Sequence, residues 1–184
     1  YNTDTVMNDL LLLALLLEGP QHGYALKKQA GLMLGQTDMH NNLVYPLLRR
    51  FVRKGLVTQK KTAGERGQTR QVYSLTARGR QTLVARINDF NETAASSRDQ
   101  FRLRVGLFPV IDSSARAVIL DKREAYLRKR AARFGPLESE MDIGKYGREV
   151  VRFIRQQIDA ELAWIAQLRR LVCAENRKAP KKRE

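Results

Sequence analysis

The chain has 184 residues, a formal net charge of +15, a sequence pI near 10.4 and 43% hydrophobic residues. That length allows one ordinary domain or two small ones, and the apolar content argues against wholesale disorder. The single cysteine, Cys173, excludes an internal disulfide and a cysteine cluster for zinc, while the longest apolar run, Leu10 to Leu17, is too short for the roughly 20 residues that cross a bilayer.

Taken in chain order, Thr3, Asp4 or Thr5 offers a cap for a first helix from about Met7 to Leu17. Its leucines fall on nearly every face, which predicts a central, buried element. Asp4 and Asp9 stand where a signal peptide would carry lysines, so the segment does not read as a leader, and the protein is expected in the cytoplasm and off the membrane. The chain begins at Tyr1 rather than methionine, and residues preceding it in the native protein are expected. Glu18-Gly19-Pro20 closes the first helix. A second helix is predicted to begin between Gln21 and Gly23 and to carry Tyr24, Leu26, Lys27, Lys28 and Leu32 before Gly35-Gln36-Thr37-Asp38 breaks it.

Asn41 or Asn42 can cap a third helix running to about Lys54, with Leu43, Leu47, Leu48, Phe51 and Val52 inward and Gly55 as the stop. Pro46 falls in its early turns, where a missing N–H costs little. The period then changes. Leu56 to Lys61 reads as a strand, Thr62 to Thr69 as a polar loop with two glycines, and Gln71 to Leu75 as a second strand, together a hairpin. Thr76 caps a fourth helix with Leu83, Val84, Ile87 and Phe90 at helical spacing.

Thr93 to Ser97 is a small polar shift in composition and a candidate boundary. Phe101, Leu103, Val105, Leu107 and Phe108 then form an apolar patch. Asp112 or Ser113 caps a helix reaching about Gly135, striped by Leu120, Leu127, Ala131 and Phe134. The last helix starts at about Asp142 or Tyr146 and reaches Glu175. Val151, Ile154, Ile158, Leu162, Ile165 and Val172 mark its stripe, widened by Phe153, Trp164, Leu168 and Leu171, which predicts packing on more than one neighbour.

The expected fold class is mainly α with a small β-hairpin. Three helices followed by a hairpin is the order of a winged helix-turn-helix, here residues 1–92. A C-terminal helical domain follows at 93–176, and 177–184 is a basic tail. The excess of positive charge suggests a polyanion, either nucleic acid or an acidic membrane surface. In this fold class the third helix enters the major groove. Its polar and basic residues are Asn41, Asn42, Tyr45, Arg49, Arg50 and Arg53, of which 42, 45 and 49 share a face. Asparagine pairs with adenine edges and arginine with guanine edges. The same spacing also describes an ordinary solvated basic face.

Arg66, Gln68 and Arg70 in and beside the hairpin loop suit a wing lying along the minor groove or the phosphates. Lys27, Lys28 and His22, near the free N–H groups that open the second helix, can meet phosphate. An enzyme has little support. The two histidines, His22 and His40, lie on different elements, the chain contains no HExxH, GxxxxGK[ST] or GxGxxG, and Cys173 has no evident base beside it. No metal site and no cofactor are expected.

Leu12 to Lys28 (LLALLLEGPQHGYALKK), Asn41 to Val57 (NNLVYPLLRRFVRKGLV) and Arg70 to Leu83 (RQVYSLTARGRQTL) together resemble the PadR family of bacterial transcriptional regulators. Asp99 to Phe101 (DQF) and Leu162 to Leu168 (LAWIAQL) are similar to the C-terminal helical region of its larger, AphA-like members. The resemblance implies a dimeric repressor on a pseudo-palindromic double-stranded operator, contacting it through Tyr24, Lys28, the Asn41 to Arg50 face and the Arg66 to Arg70 wing. It also implies a homodimer held by the C-terminal helices, for which Phe153, Ile158, Leu162, Trp164, Ile165, Leu168 and Leu171 are the candidates, and relief by a small phenolic or other aromatic effector in some members. Composition alone also fits a sequence-indifferent architectural or RNA-associated binder.

Overall fold

A computed structural model describes residues 3–33, 39–63, 69–134 and 143–178. The chain divides into two compact units, Tyr1–Asp89 and Phe90–Glu184.

In the first unit α1 spans Thr3–Leu15 and runs into a 3-10 turn, Leu16–Glu18. Thr3, Asp4 and Thr5 therefore lie within the helix and do not precede it as caps. Leu10, Leu11, Leu12, Leu13 and Leu15 are all buried, as a helix apolar on every face requires. A two-residue strand β1 (Gln21–His22) leads into α2 (Gly23–Met33). After α3 (Asn41–Arg53) come β2 (Val57–Ala63), β3 (Thr69–Leu75) and α4 (Ala77–Asn88). The mainly helical winged helix-turn-helix expected from the sequence is present.

Three local details differ from the sequence expectation. The sheet has three strands in the order β1-β3-β2, all antiparallel, with Gln21 opposite Tyr73 and His22 opposite Val72. Gln21 and His22 thus form a strand before the second helix; two residues carry no periodicity, and this strand is defined only by its pairing with β3. Asn41 and Asn42 occupy the first positions of α3, whose N-cap is His40 without a side-chain cap hydrogen bond. The inner face of α3 is Val44, Leu47, Leu48 and Phe51, whereas Leu43 is exposed and Val52 half-buried.

The helix stop at Gly55 and the cap at Thr76 hold, whereas Thr62, Ala63 and Thr69 belong to the strands and Phe90 lies beyond α4. Gly55 has φ 68°, the left-handed conformation that ends a helix, and the Leu56 amide returns to the Phe51 carbonyl at 2.9 Å. The Thr76 hydroxyl caps α4 by accepting from the Gly79 amide at 2.9 Å, and the Thr76 amide reaches the Leu56 carbonyl at 3.0 Å. Gly79 has no room for a side chain, since a Cβ there would stand 2.0 Å from the Leu56 carbonyl oxygen.

Among its described residues the second unit holds helices and no strand. It comprises α5 (Glu92–Ser96), α6 (Arg98–Gly106), a 3-10 turn (Phe108–Val110), α7 (Ser113–Ala132) and α8 (Gly144–Lys178). Thr93 to Ser96, read from composition as a boundary, lie within α5, and Ser97 caps α6 through its hydroxyl. Asp112 caps α7, accepting from the Ala115 amide at 2.7 Å. Phe90, Phe101, Ile119, Leu120, Leu127, Ile158 and Ile165 are buried, with the Trp164 ring edge-on to Phe101 at 5.6 Å.

Charge is also buried here. Arg123 on α7 donates from Nε and Nη2 to the two carboxylate oxygens of Glu161 on α8, at 2.8 and 3.0 Å. Its guanidinium also lies 5.6 Å from the Phe101 ring centre and 5.3 Å from that of Tyr126. This bidentate pair suits a buried site because the fork geometry satisfies both partners.

Candidate nucleic-acid interface

The candidate surface is built by α2, α3 and β3. With Val44, Leu47, Leu48 and Phe51 turned inward, helical geometry sends Asn42, Pro46, Arg49 and Arg53 to the opposite side, and all four are exposed. Tyr45 flanks this stripe, half-buried. Beside it lies an open notch of about 640 Å³ lined by residues that include His22, Tyr24, Tyr45, Arg49, Arg70 and Tyr73. Of the residues proposed from sequence for nucleic-acid contact, His22, Tyr24, Tyr45, Arg49 and Arg70 are brought together there. Tyr24 is 70% exposed, so it is a surface group and not a core ring. Lys28 is exposed one turn further along α2, and Asn41 and Asn42 at the start of α3. Arg66 and Gln68 lie outside the described residues.

Glycine makes the notch. An ideal Cβ on Gly23 would stand 2.9 Å from the Tyr45 ring and 3.2 Å from the Tyr73 ring. The bare α-carbon at the start of α2 therefore lets a tyrosine from α3 and one from β3 close against it. Tyr73 donates its hydroxyl to Gln71 Oε1 at 2.9 Å, and Gln59 on β2 also donates to that oxygen. Burial raises the Tyr73 pKa above its ordinary 10.0, the neighbouring Tyr45 raises it further, and Arg49 opposes them. The Tyr73 phenol is thus a neutral donor at neutral pH, and Tyr45 and Arg49 line the same notch.

Arg50 does not share this surface. Its guanidinium donates to the Asp9 carboxylate on α1, while Arg86 of α4 reaches the other oxygen at 2.5 Å. Asp9 is only 4% exposed. The adjacent arginines Arg49 and Arg50, both expected at the DNA from the family resemblance, point to different tasks. Helical spacing predicts direction around the axis, but a buried carboxylate 41 residues away is a tertiary fact.

Sequence reasoning undervalued four residues near the site. Arg53 extends the exposed stripe. Lys60 and Lys61 are exposed on β2, opposite Val72 and Gln71. Tyr73 on β3 lines the notch. Period-two alternation on β3 was the available signal, since it sets Gln71 and Tyr73 on one face.

The dimer candidates on α8 separate by burial. Ile158 and Ile165 are 3% and 1% exposed within a single chain, so they belong to its own core and are not free to meet a partner. Leu162, Trp164 and Leu168 are half-buried. Phe153 and Leu171 are 59% and 60% exposed. Tyr146 and Val150, which the sequence reading did not single out for this role, are also exposed.

Among the described residues there is no group of three or more His, Cys, Asp or Glu side chains placed to hold a metal ion, and no helix long and apolar enough to cross a membrane.

Residues 12–85 match the family model described as Transcriptional regulator PadR-like family. The match begins within α1, ends within α4 and does not extend to the second unit. Solved structures with similarity include a putative transcriptional regulator, TA0346, from Thermoplasma acidophilum, with 29% identity, 43% of this chain and 73% of that one covered, and a TM-score of 0.39. Another is Bacillus subtilis PadR, solved in complex with operator DNA, with 18% identity, 89% and 98% coverage and a TM-score of 0.43. A third is a PadR family transcription regulator from Clostridium difficile R20291, with 22% identity, 45% and 85% coverage and a TM-score of 0.39. No curated protein matches the chain.

Proposed function

We propose that this protein is a sequence-specific DNA-binding repressor that acts as a homodimer. The observation that carries the reading is the exposed α3 stripe of Asn42, Arg49 and Arg53 beside a notch walled by Tyr24, Tyr45 and Arg70. The α3 stripe has the width and chemistry to enter a major groove, and Arg49 and Asn42 can each make a bidentate base contact. Arg70 and Lys61 on the wing strands, with Lys28 on α2, supply phosphate contacts that fix the register. The PadR-like match over residues 12–85 supports the same reading.

The dimer is supported by α8. Tyr146, Val150 and Phe153 are spaced four and three residues apart, the interval of a helix-pairing seam, and are 82%, 57% and 59% exposed. A dimer with one reading helix per copy would bind half-sites about 34 Å apart. Control by a small aromatic effector rests on the family resemblance alone. Such a ligand would act only by its differential affinity for two separations of the reading helices. Phenolic acids that leave operator affinity unchanged at millimolar concentration would remove that part of the reading.

The test of the main reading is a fluorescence titration of the full chain against a duplex from the promoter of its own gene and against a scrambled duplex, across salt. Tighter binding to the promoter duplex, by a factor of about 10³ or more, with a steep salt dependence is expected. Equal affinity for both duplexes would instead indicate a sequence-indifferent binder.

A further inference from the structure

Asp9 is an acidic side chain held inside a strongly basic chain, and both its oxygens are spoken for. It lies on α1, is 4% exposed, and is bridged by Arg50 from α3 and Arg86 from α4. The two arginines are 30% and 28% exposed at their side chains, so each guanidinium spans from surface to interior. Arg50 also lies over the Phe51 ring, 5.7 Å from its centre. A buried carboxylate without such partners would be strongly unfavourable, so the three groups fix one another. The result is a tie between α1, α3 and α4 attached to α3 one residue beyond Arg49. Turning α3 about its axis to bring Arg50 to the groove would break that tie and carry Arg49 off the notch.

We propose that Asp9 is a positioning residue for α3: through Arg50 it sets the roll of the helix that presents Asn42, Tyr45 and Arg49, and it withholds Arg50 and Arg86 from the phosphates. This inference rests on the DNA-reading function proposed above. It assigns to Arg50 a role opposite to that of its neighbour. Arg49 contacts DNA, whereas Arg50 acts through Asp9 and contributes nothing to counterion release.

The experiment uses the full chain and compares the wild type with R49A, R50A, R50K and D9N, on the preferred and scrambled duplexes at several salt concentrations. Circular dichroism melts run alongside. R49A lowers the slope of log affinity against log salt by about 0.9, as loss of one phosphate or groove cation does. R50A leaves that slope unchanged and lowers the preference for the specific duplex at least tenfold. R50K, which can still reach Asp9, restores most of the preference. D9N binds scrambled DNA more tightly than the wild type because two cations are released. These variants are read at a temperature where the melts show them folded; R50K and D9N, which keep the size of the side chain, serve where R50A does not fold.

A slope lowered by R50A as much as by R49A would show Arg50 to be a DNA contact and overturn the proposal. So would a D9N protein with a lower melting temperature but unchanged discrimination. If R49A has its expected effect while Arg50 and Asp9 variants do not change discrimination, only the positioning role fails. A wild type with no preference between duplexes overturns the DNA-reading function and the positioning role with it.

Discussion

Gly23 and Tyr45 are in such close apposition that an added methyl group would meet the ring at 2.9 Å. The contact joins the first residue of α2 to the flank of α3 within the candidate interface. Gly23→Ala would gain helix propensity of up to about 1 kcal/mol and lose part of it to the displaced ring. The expected outcome is a melting temperature within a few degrees of the wild type and an operator affinity at least tenfold lower. Binding by fluorescence anisotropy checks it; unchanged affinity would mean that the Tyr45 position does not matter to recognition.

Gly79 differs in kind. There a methyl group would press on the Leu56 carbonyl oxygen at 2.0 Å and on the Leu75 side chain at 2.7 Å. Backbone cannot yield as a ring can, and that same carbonyl accepts the Thr76 amide and hydroxyl. Gly79→Ala is expected to destabilise the first unit by about 2 kcal/mol or more. Urea denaturation of the full chain, followed by the signal of this unit, measures the loss.

The seam on α8 yields a prediction about assembly. V150E together with F153E places charge on side chains that are 57% and 59% exposed. The folded chain does not need these side chains buried, so the far-UV spectrum should keep its helical intensity. Self-association should weaken at least tenfold, as like charges then face each other across the seam. Sedimentation velocity over a concentration series reads this directly.

Acid should weaken the second unit in a defined window. Hydrogen bonds from Arg128, then from Arg169, hold the Glu124 pKa below its ordinary 4.5. The Ser114 side chain, followed by the Ala115 amide, does the same to the Asp112 helix cap from 3.8. A carboxyl whose folded pKa is depressed contributes stability that is present above its unfolded pKa and is lost as pH falls through the folded one. Melting temperature should therefore decline below about pH 4.5. E124Q should lower it at neutral pH and shrink the further acid loss. The effect is expected to be under about 1 kcal/mol because the pair is solvent-accessible.

The features legible in the sequence were those decided within a few residues. Gly55 with its positive φ, Thr76 and Asp112 as caps, and the change of period after α3 each depend on local chemistry. What could not be read depended on partners distant in the chain. Asp9 meets Arg50 across 41 residues and Arg86 across 77, so the site lost one expected arginine. Arg104 and Arg123 are 0% and 2% exposed, against the ordinary rule that arginine stays in water. The paired carboxylate of Glu161 accounts for Arg123. The sequence identified a broad stripe on α8, but only packing within one chain divided it into a core side at Ile158 and Ile165 and an outer side at Phe153.

The most direct measurement of DNA reading is selection of bound duplexes from a random pool by the full-length protein at physiological salt. An enriched, pseudo-palindromic sequence with half-sites about one helical turn apart is predicted, with enrichment lost in R49A. A bound pool with the same sequence composition as the input would contradict it.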